Sequence, residues 1–184
     1  MKKLARIVAG STLLIFSSLA FAEGEPNLLS AGDNALLAPM SVFYIVVDDE
    51  VEDGCLPRPS ALKDKMEVSI RQSGFGIVEK STMFSNNIRI SLSGYAYAGG
   101  CVVTLGTEII SGVPAVVYRT ASEHTFANHI TFIGRSLLTG SKSGMQSRLE
   151  KIVSEDGDRI YLIISRARDH MRKNFPELVK VWEE

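Results

Sequence analysis

The chain has 184 residues, of which 45% are hydrophobic, and its 20 Lys and Arg nearly balance its 21 Asp and Glu, for a formal net charge of −1. This length is enough for one domain with a substantial core. A chain that carries no basic excess is not expected to be a general nucleic-acid or polyanion binder.

The N-terminus has the features of a secretory signal peptide. Lys2, Lys3 and Arg6 precede a mostly apolar stretch over residues 7–19, and Ala20-Phe21-Ala22 places small residues at the two positions that a signal peptidase reads. The apolar run is short for a transmembrane anchor. We therefore predict that residues 1–22 are removed. The mature chain would carry a net charge of about −4 and no later membrane span, and would reside in the periplasm or be fully secreted.

Residues 23–40 are polar and interrupted by Gly and Pro, which predicts a flexible N-terminal arm or a segment loosely docked on the core. Residues 41–49 are almost continuously β-branched or aromatic, as in a central strand. An acidic run from Asp48 to Asp53 follows. Its carboxylates are possible calcium ligands, but Val51 and Ser60 occupy positions where an EF-type loop needs ligands. A solvated loop is therefore favoured.

The middle of the chain alternates between helical and strand periods. Leu62, Met66 and Ile70 form one stripe of a helix over residues 60–73, which Gly74 ends, and a short strand over 75–80 completes a β-α-β unit. Gly99-Gly100 separates two alternating runs and predicts a β-hairpin, with a bulge at Gly94. A turn at 111–112 and strands over 115–120 and 125–135 would extend an antiparallel meander.

The last third returns to a helical period. Apolar residues from Met145 to Met171 fall on one stripe, which predicts a long helix over 144–173, bent near Gly157. Residues 41–184 should thus form a single α+β domain. We expect a two-layer sandwich in which an antiparallel-rich sheet of five to six strands packs two amphipathic helices on one face.

The two cysteines, Cys55 and Cys101, are predicted to form one disulfide, because an exported chain passes through an oxidising compartment. Neither cysteine has a neighbouring His or Asn that would mark an activated thiol. A bridge across this separation would stabilise the fold by roughly 4 kcal/mol in the chain-entropy model.

No catalytic motif, cofactor motif or metal-ligand spacing is present. His124 and His129 are five residues apart, which places them on opposite faces of a strand and well apart on a helix. The candidate contact surfaces are instead a sheet face with Tyr95 and Tyr97, and a basic stretch of the last helix. The bases of that stretch are Arg166, Arg168, Arg172 and Lys173.

The order of elements resembles that of a loose group of exported bacterial α+β proteins, and it is faintly similar to the small N-terminal domain of the periplasmic protein TolB. The resemblance rests on the first helix, ALKDKMEVSIRQSGF, and on the basic end of the last helix. It implies a non-catalytic module of the cell envelope and transfers no functional residue.

These observations favour a periplasmic, non-catalytic binding or accessory protein, with an envelope protein or a wall component as partner. One alternative is a small exported hydrolase or metal-dependent enzyme that uses His124, His129 and the acidic loop. It requires these groups to converge in space. Another alternative is a secreted effector or a toxin-neutralising protein.

Overall fold

A computed structural model describes residues 31–82, 85–116 and 124–183. The predicted signal peptide over 1–22 and residues 23–30 of the predicted arm lie outside these residues. The elements are α1 (Ala31–Leu37), β1 (Val42–Val51), α2 (Ser60–Gln72), β2 (Gly76–Ile77), β3 (Asn86–Tyr97), β4 (Gly100–Val116), β5 (His124–Gly140), α3 (Lys142–Asn174) and α4 (Pro176–Glu183). The fold class is α+β, as predicted, and the short helices α1 and α4 add to the two helices expected.

The described residues form one five-stranded sheet with the order β2-β1-β3-β4-β5. Strand β1 is parallel to both of its neighbours, whereas β3, β4 and β5 are antiparallel. The β-α-β unit predicted from the sequence is present, because α2 connects the parallel neighbours β1 and β2. Its second strand is only two residues long, shorter than the predicted 75–80.

The β3–β4 hairpin turns at the expected glycines, with Tyr97 paired to Gly100. The predicted turn at 111–112 is wrong, because β4 continues through these residues in regular register with β5. Pro114 has no backbone N–H to donate, but this interrupts no hydrogen bonding with β3, because β3 pairs with β4 only as far as Ser111. Residues 117–120 of the strand predicted over 115–120 lie outside the described residues.

The bulge predicted at Gly94 is also wrong. Gly94 pairs with Val103 without interruption, and a side chain there would come within 2.9 Å of the Val103 backbone. The irregularity lies instead between Thr107 and Glu108, opposite residues 132–134 of β5. Gly94 is therefore a site of close strand approach.

One face of the sheet carries the hydrophobic core. Ile45, Ile88 and Ile109 share that face, and helices α2 and α3 supply the opposing layer. The predicted stripe of α2 is fully buried, and so are Met145, Leu149, Val153, Ile160 and Ile164 of the stripe predicted for α3. The periodicity therefore identified the core-facing sides of both helices correctly.

Helix α3 is continuous over 33 residues. Gly157 lies where α3 meets α2, and a Cβ at this position would come within 2.6 Å of the Ser69 Cβ. The absence of a side chain lets the two helices approach closely, which accounts for a glycine in the interior of a long helix.

Residues 31–40 pack on the core. Leu37, Ala38 and Met40 are buried. The guanidinium of Arg168 on α3 donates hydrogen bonds to the carbonyl oxygens of Ala38 (2.9 Å) and Met40 (2.7 Å). These bonds fix the end of α1 to α3, and composition alone did not reveal them.

Candidate functional site

The second face of the sheet carries no helix in the part of the chain that the structure describes. Alternate residues of β1, β3, β4 and β5 point to this side, and the strand register arranges them in rows. The rows are Val46, Arg89, Glu108 and Phe132; Asp48, Ser91, Gly106 and Arg135; and Glu50, Ser93, Thr104 and Leu137. We call these residues, with Tyr95 and Tyr97, the open face.

The centre of the open face is a shallow depression with a volume of ≈ 360 Å³. Ser91, Ser93 and Thr104 line it with short side chains and Gly106 with its backbone, while longer residues of the outer strands stand at its two sides. The volume is at the lower end of the range of about 300–1,000 Å³ for small-molecule sites. The depression is therefore a concave surface that presents hydroxyl groups.

The charges around the depression are unevenly paired. Arg89 Nη1 lies 3.4 Å from Glu108 Oε1, and Arg89 Nε lies 3.2 Å from Asp48 Oδ2 without hydrogen-bond geometry. Glu50 on the β1 side and Arg135 on the β5 side also line the depression, and neither has an ionic partner among the described residues. The depression thus has an uncompensated negative side and an uncompensated positive side.

Large apolar and aromatic side chains are exposed on the same face as the depression. Tyr95 and Tyr97, the two residues predicted as a partner surface, are 56% and 47% exposed. Phe132 and Leu137 are 72% and 68% exposed, although both were missed in the sequence. Exposed aromatic and aliphatic residues on an uncovered sheet face are typical of contact surfaces.

The basic residues of α3 do not form the single free surface that the sequence predicted. Arg168 is engaged with the end of α1, and its guanidinium also lies 5.4 Å from the Phe75 ring centroid. Arg166 and Lys173 are exposed, but Arg166 and Arg168 point to nearly opposite sides of the helix because they are two residues apart. Arg172 is exposed and has its own interaction. The predicted basic patch is therefore divided around α3.

The histidines and the acidic loop are at opposite ends of the sheet. His129 pairs with Ser111, which pairs with Asn86 and then with Phe43 at the start of β1. The acidic residues begin five residues further along β1, a separation of about 17 Å or more. His129 Nε2 contacts Asp33 Oδ1 at 3.0 Å, and the side chain of His124 lies outside the described residues. The convergence that the hydrolase hypothesis requires is absent from the described residues, which also contain no metal-binding cluster of three or more His, Cys, Asp or Glu.

Cys55 and Cys101 form a disulfide with an S–S distance of 2.00 Å, and both residues are fully buried. The bridge joins the loop after β1 to the first residues of β4. Lys142 Nζ donates a hydrogen bond to the Asp53 carbonyl oxygen (2.7 Å), which holds the same loop against the start of α3. The acidic loop is therefore anchored at two points.

A buried carboxylate on the core side of the sheet was also missed in the sequence. Asp156 of α3 is inaccessible to solvent, accepts a hydrogen bond from the Thr107 hydroxyl (2.7 Å) and pairs with Arg159 (2.9 Å). Burial raises the pKa of Asp156, while the Thr107 hydrogen bond and the Arg159 charge act in the opposite direction. This cluster links α3 to β4, and we assign it a structural role.

The residues of the depression give only a weak signal in the sequence. Ser91, Ser93, Thr104 and Gly106 are ordinary polar positions of alternating strands. Gly106 was the one detectable anomaly, because glycine inside a strand weakens it and marks a bulge or a close approach. The acidic loop was identified, but its proximity to Arg135 depends on the register of four strands.

No model of a known protein family matches the chain, and a search of curated proteins finds no similar sequence. No helix among the described residues is both long enough and apolar enough to cross a membrane. The disulfide is compatible with an exported protein.

Proposed function

We propose that the protein is an exported, non-catalytic binding or accessory protein of the cell envelope, and that the open face is its contact surface. The observation that carries this proposal is the uncovered sheet face, on which the exposed Tyr95, Tyr97, Phe132 and Leu137 accompany a polar depression. Tyrosine and arginine are enriched among the residues that contribute most to binding energy at interfaces. The partner would be an envelope protein or a wall component.

Export to the periplasm is the second part of the proposal. The N-terminal sequence supports it, as does a buried disulfide, because such bonds persist in oxidising compartments. Mass spectrometry of the protein recovered from its own cells should find Glu23 as the first residue. An intact Met1 or Lys2 at the terminus would contradict export through this signal.

Site-specific photo-crosslinking tests the contact surface. A photoreactive amino acid replaces Tyr95 or Tyr97 in the full chain, expressed in the cells from which the protein comes. The matched control is Tyr161, a tyrosine that is 43% exposed on α3, on the other layer of the fold. We expect a discrete adduct from the two sheet positions and none from the control.

The adduct is then identified, and its partner is purified for a direct binding measurement. Replacing both sheet tyrosines with serine should lower the affinity at least about tenfold, as expected for aromatic residues at the centre of an interface. The Tyr161→Ser variant should bind as the original chain does. Equal crosslinking from all three positions, or unchanged affinity after the double replacement, would rule out the open face. If the captured partner is a toxin, the result would support the toxin-neutralising alternative.

A further inference from the structure

We infer that the central depression is a binding site for a short dipolar peptide segment, with its cationic group at Glu50 and its carboxylate at Arg135. This inference rests on the proposed function and specifies the ligand class that the open face recognises. The depression, its unpaired charges and Gly106 together carry it.

Gly106 leaves open space at the centre of the open face. It lies in the interior of β4, pairs regularly with Ser91 and Arg135, and a Cβ built on it meets nothing within 4 Å. Gly94 and Gly100, by contrast, each have a neighbouring backbone in the space of a side chain. Gly106 directly precedes the irregularity between Thr107 and Glu108, and a strand glycine often marks a bulge. Its contribution to the inference is the open space above it, which lets a ligand approach the backbone of β4.

The unpaired charges define the orientation of this ligand. Asp48 and Glu108 already share Arg89, so Glu50 is the carboxylate left for a cation. Arg135 is the corresponding base on the opposite side, and its planar guanidinium can hold a carboxylate through two parallel hydrogen bonds. The Ser91 and Ser93 hydroxyls between these charges can donate to and accept from peptide groups. The Thr104 hydroxyl donates to the Ser93 carbonyl oxygen (3.0 Å) and can accept a hydrogen bond from the ligand.

The width of the sheet sets the length of the ligand. Strands β1 and β5 are three strand spacings apart, about 14 Å. Glu50 is also one row further along than Arg135, so their Cα atoms are about 16 Å apart. Both side chains line the depression and cover part of this distance. The remainder corresponds to two or three extended residues, at about 3.3–3.6 Å per residue. The apolar Leu137 lies on β5 beside Arg135, at the other end of the row of Glu50, so it can contact a side chain in the C-terminal part of the ligand.

The test uses the purified mature chain and the tripeptide Ala-Leu-Ala with free termini as the probe. Titration is followed by calorimetry and by amide chemical shifts. We expect saturable binding in the sub-millimolar to millimolar range, which is appropriate for a ligand of this size in an open site. The largest shifts should be at Ser91, Ser93, Thr104 and Gly106. Absence of saturation, or shifts elsewhere, overturns the inference.

Blocking each terminus separately tests the two charge contacts. N-acetylation should weaken binding about three- to tenfold in the original chain and have no effect in Glu50→Gln. Amidation of the peptide C-terminus should weaken binding by a similar factor in the original chain and have no effect in Arg135→Gln. Glu155→Gln on α3 is the matched charge control. In this variant, blocking either peptide terminus should weaken binding as much as in the original chain. Equal binding of free and blocked peptides would show that the charges do not orient a ligand.

Filling the depression gives an independent test. Gly106→Val places a β-branched side chain in free space, so we expect an unchanged or higher melting temperature together with loss of peptide binding. Retained binding in this variant would exclude the depression as the site.

Failure of the tripeptide experiments with successful crosslinking at Tyr95 would leave the open face as a contact surface and reject only the dipolar ligand. Failure of the crosslinking with successful tripeptide binding would reject only the macromolecular partner.

Discussion

Asp156 is expected to make the stability of the protein pH-dependent. Its pKa is raised above the ordinary value of 3.8, chiefly by burial. Between the unfolded and folded pKa values the native chain therefore binds more protons than the unfolded chain, and the free energy of unfolding falls as pH rises through the folded pKa. Asp156→Asn removes this contribution and preserves the shape of the side chain. We predict that the variant gains stability relative to the original chain as pH rises from about 4 to 7.

Urea unfolding at a series of pH values measures this difference directly. Asp169→Asn, an exposed substitution on the same helix, is the control and should leave the pH profile unchanged. The Thr107 hydroxyl can donate to an amide oxygen or accept from an amide nitrogen, so the variant retains a hydrogen-bonding partner at this position. A stability difference that stays constant, or that shrinks with rising pH, would contradict a raised pKa.

At the scale of the elements, the contact between α2 and α3 depends on Gly157. In Gly157→Ala the new Cβ would lie 2.6 Å from the Ser69 Cβ, so the helices must separate. Overpacking of this kind costs typically about 1–3 kcal/mol, partly offset by about 1 kcal/mol from the better helix propensity of alanine. We predict a net loss of up to about 2 kcal/mol in the free energy of unfolding, measured in urea.

Ser69→Gly provides the second arm of a double-mutant cycle. The combination with Gly157→Ala should be more stable than the sum of the single effects by about 1 kcal/mol, because the clash is relieved. Gly144→Ala, at the start of the same helix, is the matched control. The nearest atom to its Cβ is the Ser141 hydroxyl at 3.2 Å, which can rotate away. Additive effects in the cycle would exclude the contact as the reason for this glycine.

Local sequence patterns predicted those elements whose structure depends on near neighbours. Gly74 ends α2 with a φ of +84°, and the stripe of Leu62, Met66 and Ile70 is buried. Helix α1 was missed because its seven residues carry no helical periodicity, and part of its stabilisation comes from Arg168, more than 120 residues away in sequence. Element type follows from local chemistry, whereas a short docked helix depends on tertiary contacts.

The candidate site was only partly predictable because it depends on strand register. Strict alternation would place Phe132 and Gly134 on the same face of β5. The irregularity opposite Thr107 and Glu108 shifts the alternation of β5 side chains between the two faces by one residue. Phe132 and Arg135 therefore share the open face instead. Tyr95 and Tyr97 could be identified because they precede the hairpin turn without interruption. Arg135 could not, because the bulge has no strong signature in the sequence.

At the scale of the whole molecule, the disulfide joins parts of the fold that are distant in sequence. It closes a loop with a separation of 46 residues, which contains α2, β2 and β3, and it anchors the acidic loop beside the open face. Removing the bridge increases the conformational freedom of the unfolded chain. For this separation, the chain-entropy model gives a stabilisation of roughly 4 kcal/mol by the bridge. We predict that Cys55→Ala/Cys101→Ala lowers the free energy of unfolding by about 2–4 kcal/mol.

Urea unfolding of the double variant and of the original chain measures this loss, and circular dichroism verifies that both are folded before denaturant is added. The single variant Cys55→Ala should be destabilised by a similar amount, since either change removes the bridge. Because the core residues of the sheet and helices are unchanged, the double variant should retain its secondary structure and its binding at the open face at low temperature. A loss below about 1 kcal/mol would contradict the predicted contribution of the bridge.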